Sequence, residues 1–298
     1  MGTVSRLPAQ ASLDATLPQI DDVESLMRQL TGADETSVTG QACDHHLVSG
    51  GGRTRAQLAL SVGQCLSLNQ RHCVAIAAAA ELIHNASLIH DDIQDRSPIR
   101  RGRAALWQAF GPDVALVIGD LFLSASYAAL QPLLADSADS ALLVARVHQA
   151  IHRTIRGQNQ ELTLSTQHCS LPRYETIVGG KSGPLLSLPV ELVLIATDLA
   201  TLVPNVEAGM KKLATTYQIL DDLEDVGTDL ASKDAEQHCL NIIGQLRIQQ
   251  VSDPHEQARE LAKLRLEEAR QRFSVLPQGC QNVLDGLIER LAAKLERR

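Results

Sequence analysis

Along most of the chain, apolar residues recur at the three- and four-residue spacing of a helix face, as in VAIAAAAELIHNASLIHDD at 74–92. Alternating runs rich in Val, Thr and Tyr, the mark of a half-buried strand, are nearly absent. The pattern predicts an all-α protein. Its helices are punctuated at Ser49-Gly50-Gly51-Gly52, Ser97-Pro98, Gly111-Pro112, Gly179-Gly180, Gly183-Pro184, Val203-Pro204 and Leu276-Pro277. None of these breaks is long enough for an interdomain linker, and no repeat of fixed period is present. Residues 1–18 read as a loose tail and 19–298 as one helical domain. Two charged amphipathic helices from Pro254 onward close it and read as outer packing without chemistry.

With 298 residues, 44% of them hydrophobic, the chain can build one large core or two ordinary ones. A net charge of −8, from 27 basic and 35 acidic residues, argues against a nucleic-acid surface. Cys43, Cys65, Cys73, Cys169, Cys239 and Cys280 lack C-x-x-C spacing and read as buried small hydrophobes in a reducing compartment. The opening MGTVSRLPAQASLDATLPQ has no continuous apolar core of a signal peptide. No charge-free apolar run reaches the roughly 18 residues that cross a bilayer. A cytoplasmic protein without a membrane span is expected.

The candidate chemistry begins at SLIHDDIQDRSPIRRGR, residues 87–103, where acids end an apolar helix and arginines follow. Asp91 and Asp95 share a helix face, and Asp92 lies about 100° round the axis. Carboxylate oxygens at the mouth of an apolar interior repel unless a cation neutralises them. Mg²⁺ accepts one or two such ligands together with water and phosphate oxygens. YQILDDLED repeats the spacing with Asp221, Asp222 and Asp225, again after an apolar helical run. Two such helices face to face would form a funnel of six carboxylates, tolerable only around divalent cations and a polyphosphate. Asp21-Asp22-Val23-Glu24 lacks the acid at i+4 and reads as a solvated helix start.

Taken in order, several motifs resemble the trans-type isoprenyl diphosphate synthases, or polyprenyl synthetases. They are G-G-x-R-x-R at 50–55, E-L-I-H-N-A-S-L-I-H-D-D-I-Q-D at 81–95, R-R-G at 100–102, F-G at 110–111 and G-D at 119–120. G-Q-x-x-E-L at 157–162, K-S at 181–182 and Y-Q-I-L-D-D-L-E-D at 217–225 complete the set. The resemblance spans about 45–240. It implies the isoprenoid synthase fold, a single-domain bundle of mostly antiparallel helices around a deep apolar cavity, in a homodimer. It further implies that Asp91, Asp95 and Asp221 coordinate Mg²⁺, three ions per active site, on the diphosphate of an allylic substrate. Asp92, Asp222 and Asp225 then set the charge and water structure of the site. Arg100, Lys181 and Lys233 hold the allylic diphosphate, with Gln158 beside them. Arg55, His84 and Arg101 hold isopentenyl diphosphate, and Gln218 and Ser182 line the reaction centre. On this likeness the chain is an Mg-dependent trans-prenyltransferase. For His84 a packing role stays open beside the ligand role, whereas His90 reads as a packing or supporting residue and His45-His46 as solvated or packing residues.

Three positions depart from the family pattern. Gly52 stands where a lysine is usual, so Arg53 is expected to reach the second diphosphate in its place. The stretch after Asp225 is short and keeps only Lys233, while Glu161 and Ser182 replace the more frequent aspartate and threonine. A terpene cyclase is the alternative within this fold, opposed by a content of one Trp, three Tyr and three Phe, too few to guide carbocations. A non-catalytic partner subunit is the other alternative, opposed by the two matched acidic motifs. Ala86 and Ser87, expected one turn below the metal face, leave the path of a growing tail open, and Phe122 or Tyr127 is expected to cap it. Geranylgeranyl diphosphate is the expected product.

Overall fold

A computed structural model describes residues 20–164, 169–229 and 240–297, with side chains described outside 225–229. The expected tail and Lys233 lie outside the described residues, as does the side chain of Asp225. The helices are α1 (Ile20–Thr31), α2 (Val38–Leu47), α3 (Thr54–Cys65), α4 (Gln70–Gln94), α5 (Leu106–Phe110), α6 (Pro112–Ala129) and α7 (Gln131–Asp136). They continue as α8 (Ser140–Leu162), α9 (Leu171–Ala196), α10 (Val203–Asp229), α11 (Ile242–Ile248), α12 (Pro254–Phe273) and α13 (Gln278–Glu296). Side-chain caps start several of them: Ser37 accepts from Gly40 N, Asn69 from Arg71 N, Asn241 from Ile243 N and Asp253 from Glu256 N. The all-α expectation holds apart from one hairpin, β1 (Ile99–Arg100) against β2 (Arg103–Ala104). Its turn residues Arg101 and Gly102 both have positive φ, the combination that two-residue hairpin turns favour.

The core follows from α4. Ala75 to Ala80 and then Leu82, Ile83, Ala86 and Ile89 are buried, and the run of alanines lets α3, α6 and α9 pack against it. Next, α9 packs on α8 and on α10, and α10 on α12. Buried apolar side chains from Val23 in α1 to Leu295 in α13 belong to one continuous cluster. Of the described cysteines, Cys43, Cys73, Cys169 and Cys280 are buried as expected, but Cys65 is exposed.

Two breaks expected from the sequence do not occur. Gly179-Gly180 and Gly183-Pro184 lie inside α9, which runs unbroken through Pro184 and Pro189. Burial decides against local propensity here, because Leu185 to Ile195 are all buried between neighbouring helices. The glycines serve close crossings instead: a Cβ on Gly157 would come within 2.4 Å of Lys181 N.

Among the described residues, Gln70–Gln94, Pro112–Asp136 and Leu171–Ala196 are long and apolar enough to cross a membrane by length and composition. None of the three is a charge-free run, because Glu81, Asp120 and Glu191 interrupt them. In the bundle, 72% of the most apolar window of the first and 78% of that of the third are buried, but only 44% of that of the second.

Candidate active site

The last three turns of α4 present His84, Ser87, Leu88, Asp91 and Gln94 along one face, at the spacing of a helical stripe. His90 of α4, Thr154, Ile155, Gln158 and Asn159 of α8, Lys181, Ser182 and Leu185 of α9, and Arg55 of α3 complete a pocket of about 210 Å³. That is smaller than the roughly 300–1,000 Å³ usual for small-molecule sites. Its lining contains no Phe, Tyr or Trp.

Within the first acidic motif the three aspartates have separate environments. Asp91 is half-buried, with Oδ2 3.8 Å from Lys181 Nζ. Burial pushes its carboxyl up to about 6, and Asp95 and Glu161 add to the shift while Lys181 and Arg100 oppose it. Asp95 is exposed and caps the end of α4. Asp92 is only 1% exposed and is held by Arg100, whose Nε lies 3.0 and 3.2 Å from its two carboxylate oxygens. Arg100 therefore joins the hairpin to α4 through Asp92 in this structure.

Lys181 Nζ lies 2.8 Å from Glu161 Oε2, and its pKa is raised because the carboxylates of Asp91, Glu161 and Asp95 outweigh the effect of burial. Gln158 Nε2 donates to Gln94 Oε1 at 2.9 Å. Sequence reasoning noted Glu161 as a substitution but missed it as the partner of Lys181. Thr154, Ile155 and Leu185 were missed as well. A helical count of three or four residues from Gln158 and Lys181 finds all three.

In the second motif Asp221 is exposed and Asp222 is 4% exposed. The carboxylate of Asp222 accepts from Tyr174 Oη at 2.9 Å, Gln218 Nε2 at 2.9 Å and Ile242 N at 2.7 Å. Burial still raises it to about 6 against these three donors. Gln218, expected at the reaction centre, donates to Asp222 here. Both motifs thus turn their second aspartate into the protein.

On the basic side, Arg55 and His84 line the pocket together. Burial, and then the cations Arg55 and Arg101, hold His84 well below its ordinary pKa, so the imidazole is neutral. Arg101 is exposed and donates to the carbonyl of Gly50. Gly51 has φ +131°, and a Cβ there would strike the Arg101 guanidinium at 2.5 Å. The expected role of Arg53 is corrected. Its side chain is turned inward and 9% exposed, donating to Glu24 Oε1 at 3.0 Å and to the carbonyls of Leu47 and Gly50. A buried arginine so committed does not replace the lysine missing at Gly52.

The chain-length residues also separate. Ser87 lines the pocket, but Ala86 is fully buried outside it. Five residues back along a helix lie about 140° from Asp91, whereas four lie about 40° away. Phe122 is fully buried with its ring edge on His46, and Tyr127 is half-buried; neither lines the pocket.

No three His, Cys, Asp or Glu side chains converge on one point among the described residues. Mg²⁺ needs no such triad when phosphate and water supply most of its oxygens. The donor chemistry fits that ion, because Asp91 offers hard carboxylate oxygens at the pocket beside the exposed Asp95.

A model of the polyprenyl synthetase family matches residues 36–253. Octaprenyl diphosphate synthase of Escherichia coli (strain K12) is 28% identical over 191 residues, which cover 62% of this chain and 57% of that protein. The chain thus spans less than two thirds of that relative's length. The crystal structure of a decaprenyl diphosphate synthase from Rhodobacter capsulatus superposes with a TM-score of 0.79 at 20% identity, covering 93% of this chain and 96% of that one. A polyprenyl synthase from Caulobacter crescentus CB15, complexed with calcium and isoprenyl diphosphate, gives a TM-score of 0.76 at 17% identity, covering 96% and 99%.

Proposed function

The chain belongs to the polyprenyl synthetase family, and from that premise we propose that it is a trans-prenyltransferase. It would join isopentenyl diphosphate to an allylic diphosphate and release an all-trans prenyl diphosphate. The observation that carries this reading is the α4 stripe along one pocket: Asp91 lies at one end with Gln158, Lys181 and its partner Glu161, and His84 lies about two turns earlier with Arg55 of α3. One end suits a metal-bound diphosphate and the other a second, directly held diphosphate.

Asp91, Asp95 and Asp221 would hold Mg²⁺, which when bound draws charge from the leaving diphosphate. Lys181 neutralises the same group, and Glu161 fixes the ammonium in place. Arg55 and His84 hold the second diphosphate so that its double bond faces the carbon losing the leaving group. Leu88, Ile155 and Leu185 form the apolar wall that excludes water from the allylic cation. The departing diphosphate is the base for the final proton.

Because no Phe, Tyr or Trp lines the pocket to act as a floor, we assign a product longer than farnesyl diphosphate, with geranylgeranyl diphosphate as the product expected. A second copy of the chain would cover Leu116 and Val117 of α6 and Leu142 of α8, which are 53%, 64% and 45% exposed. Product analysis from dimethylallyl, geranyl and farnesyl diphosphates, each with isopentenyl diphosphate and Mg²⁺, tests the reading. Elongated prenyl diphosphates support it, and cyclic hydrocarbons refute it.

A further inference from the structure

Pro189 sits in the interior of α9, buried, where a proline normally breaks the helix. Proline has no N–H, so the carbonyl four residues earlier, that of Leu185, loses its usual helical donor. That carbonyl accepts instead from Arg55 Nε at 3.1 Å, across 130 residues of sequence. The Arg55 side chain makes no ion pair and no other hydrogen bond among the described residues. Its two terminal guanidinium nitrogens are left for a ligand, and it lines the pocket beside His84. A carbonyl anchors the guanidinium without cancelling its charge, as a carboxylate would. The nearby Glu81 gives one oxygen to Ala56 N at 3.0 Å and forms no ion pair with Arg55.

We propose that Pro189 is a positioning residue for Arg55. By withholding the N–H that would otherwise pair with Leu185, it reserves that carbonyl to hold the guanidinium fork toward the pocket. A long side chain anchored in this way has less rotamer freedom to lose when it binds an anion. The inference rests on the proposed role of Arg55 in holding isopentenyl diphosphate.

The test is a double-mutant cycle of Pro189→Ala and Arg55→Ala, read as KM for each substrate, kcat and thermal midpoint. Pro189→Ala restores an N–H that competes for the Leu185 carbonyl. We expect its KM for isopentenyl diphosphate to rise about tenfold, with KM for the allylic substrate unchanged and the thermal midpoint equal or higher. Better helix and poorer binding together are not what a purely structural proline gives. In the Arg55→Ala background the same change should add nothing. If Arg55→Ala weakens isopentenyl diphosphate while Pro189→Ala does not, or if the two effects add in full, the positioning role is overturned and the assignment of Arg55 stands. An Arg55→Ala enzyme with normal KM overturns that assignment and the inference with it.

Discussion

The phenol of Tyr174 donates to Oδ2 of Asp222 at 2.9 Å, and the same oxygen accepts Ile242 N at 2.7 Å. Asp222 therefore ties α9, α10 and the start of α11 together, while its neighbour Asp221 is exposed. Adjacent acids of one motif should respond to mutation in different ways. Tyr174→Phe should lower unfolding free energy by about 1–3 kcal/mol, because a buried carboxylate loses a donor. Asp221→Asn should leave stability within about 0.5 kcal/mol and reduce turnover by about a hundredfold or more. Urea unfolding and steady-state kinetics on both variants check this pair of outcomes.

Product length should depend on Ser87 and not on Ala86. Ser87→Phe places a ring in the pocket and should shorten the product toward farnesyl diphosphate, as read by chromatography of the dephosphorylated alcohols. Ala86 is fully buried outside the pocket, so Ala86→Phe overpacks the core. It should cost about 1–3 kcal/mol of stability before it changes product length.

His46 should make stability depend on pH. Burial lowers its pKa from 6.5 to about 4; a hydrogen bond to Asn85 opposes the shift, and Arg101, Arg100 and Arg53 add to it. Asn85 Nδ2 donates to the Glu81 carbonyl, so its Oδ1 accepts from His46 Nε2. Below its ordinary pKa the unfolded chain takes up a proton that the folded chain refuses. The contribution is therefore complete above about pH 6.5 and lost as pH falls toward 4. Between pH 7 and 5, wild-type protein should lose about 2 kcal/mol more than His46→Gln. Parallel stability curves would remove His46 as the cause.

The helices and the acidic mouth were legible in the sequence because both are local. Helical periodicity predicted α4, and D-D-x-x-D spacing placed Asp91 and Asp95 at its end. Long-range partners were not legible. Nothing local shows that Arg53 turns to Glu24, that Lys181 meets Glu161, or that burial carries α9 through two prolines. Helix phase separates Ser87 in the pocket from the buried Ala86, because a difference of one residue moves a side chain by about 100°.

Diphosphate release from farnesyl diphosphate in Mg²⁺, with and without isopentenyl diphosphate, tests chain elongation most directly. Release should require both substrates and stop on adding EDTA. Release from farnesyl diphosphate alone at the same rate would contradict a two-substrate prenyltransferase, and none with both substrates present would contradict elongation beyond farnesyl diphosphate.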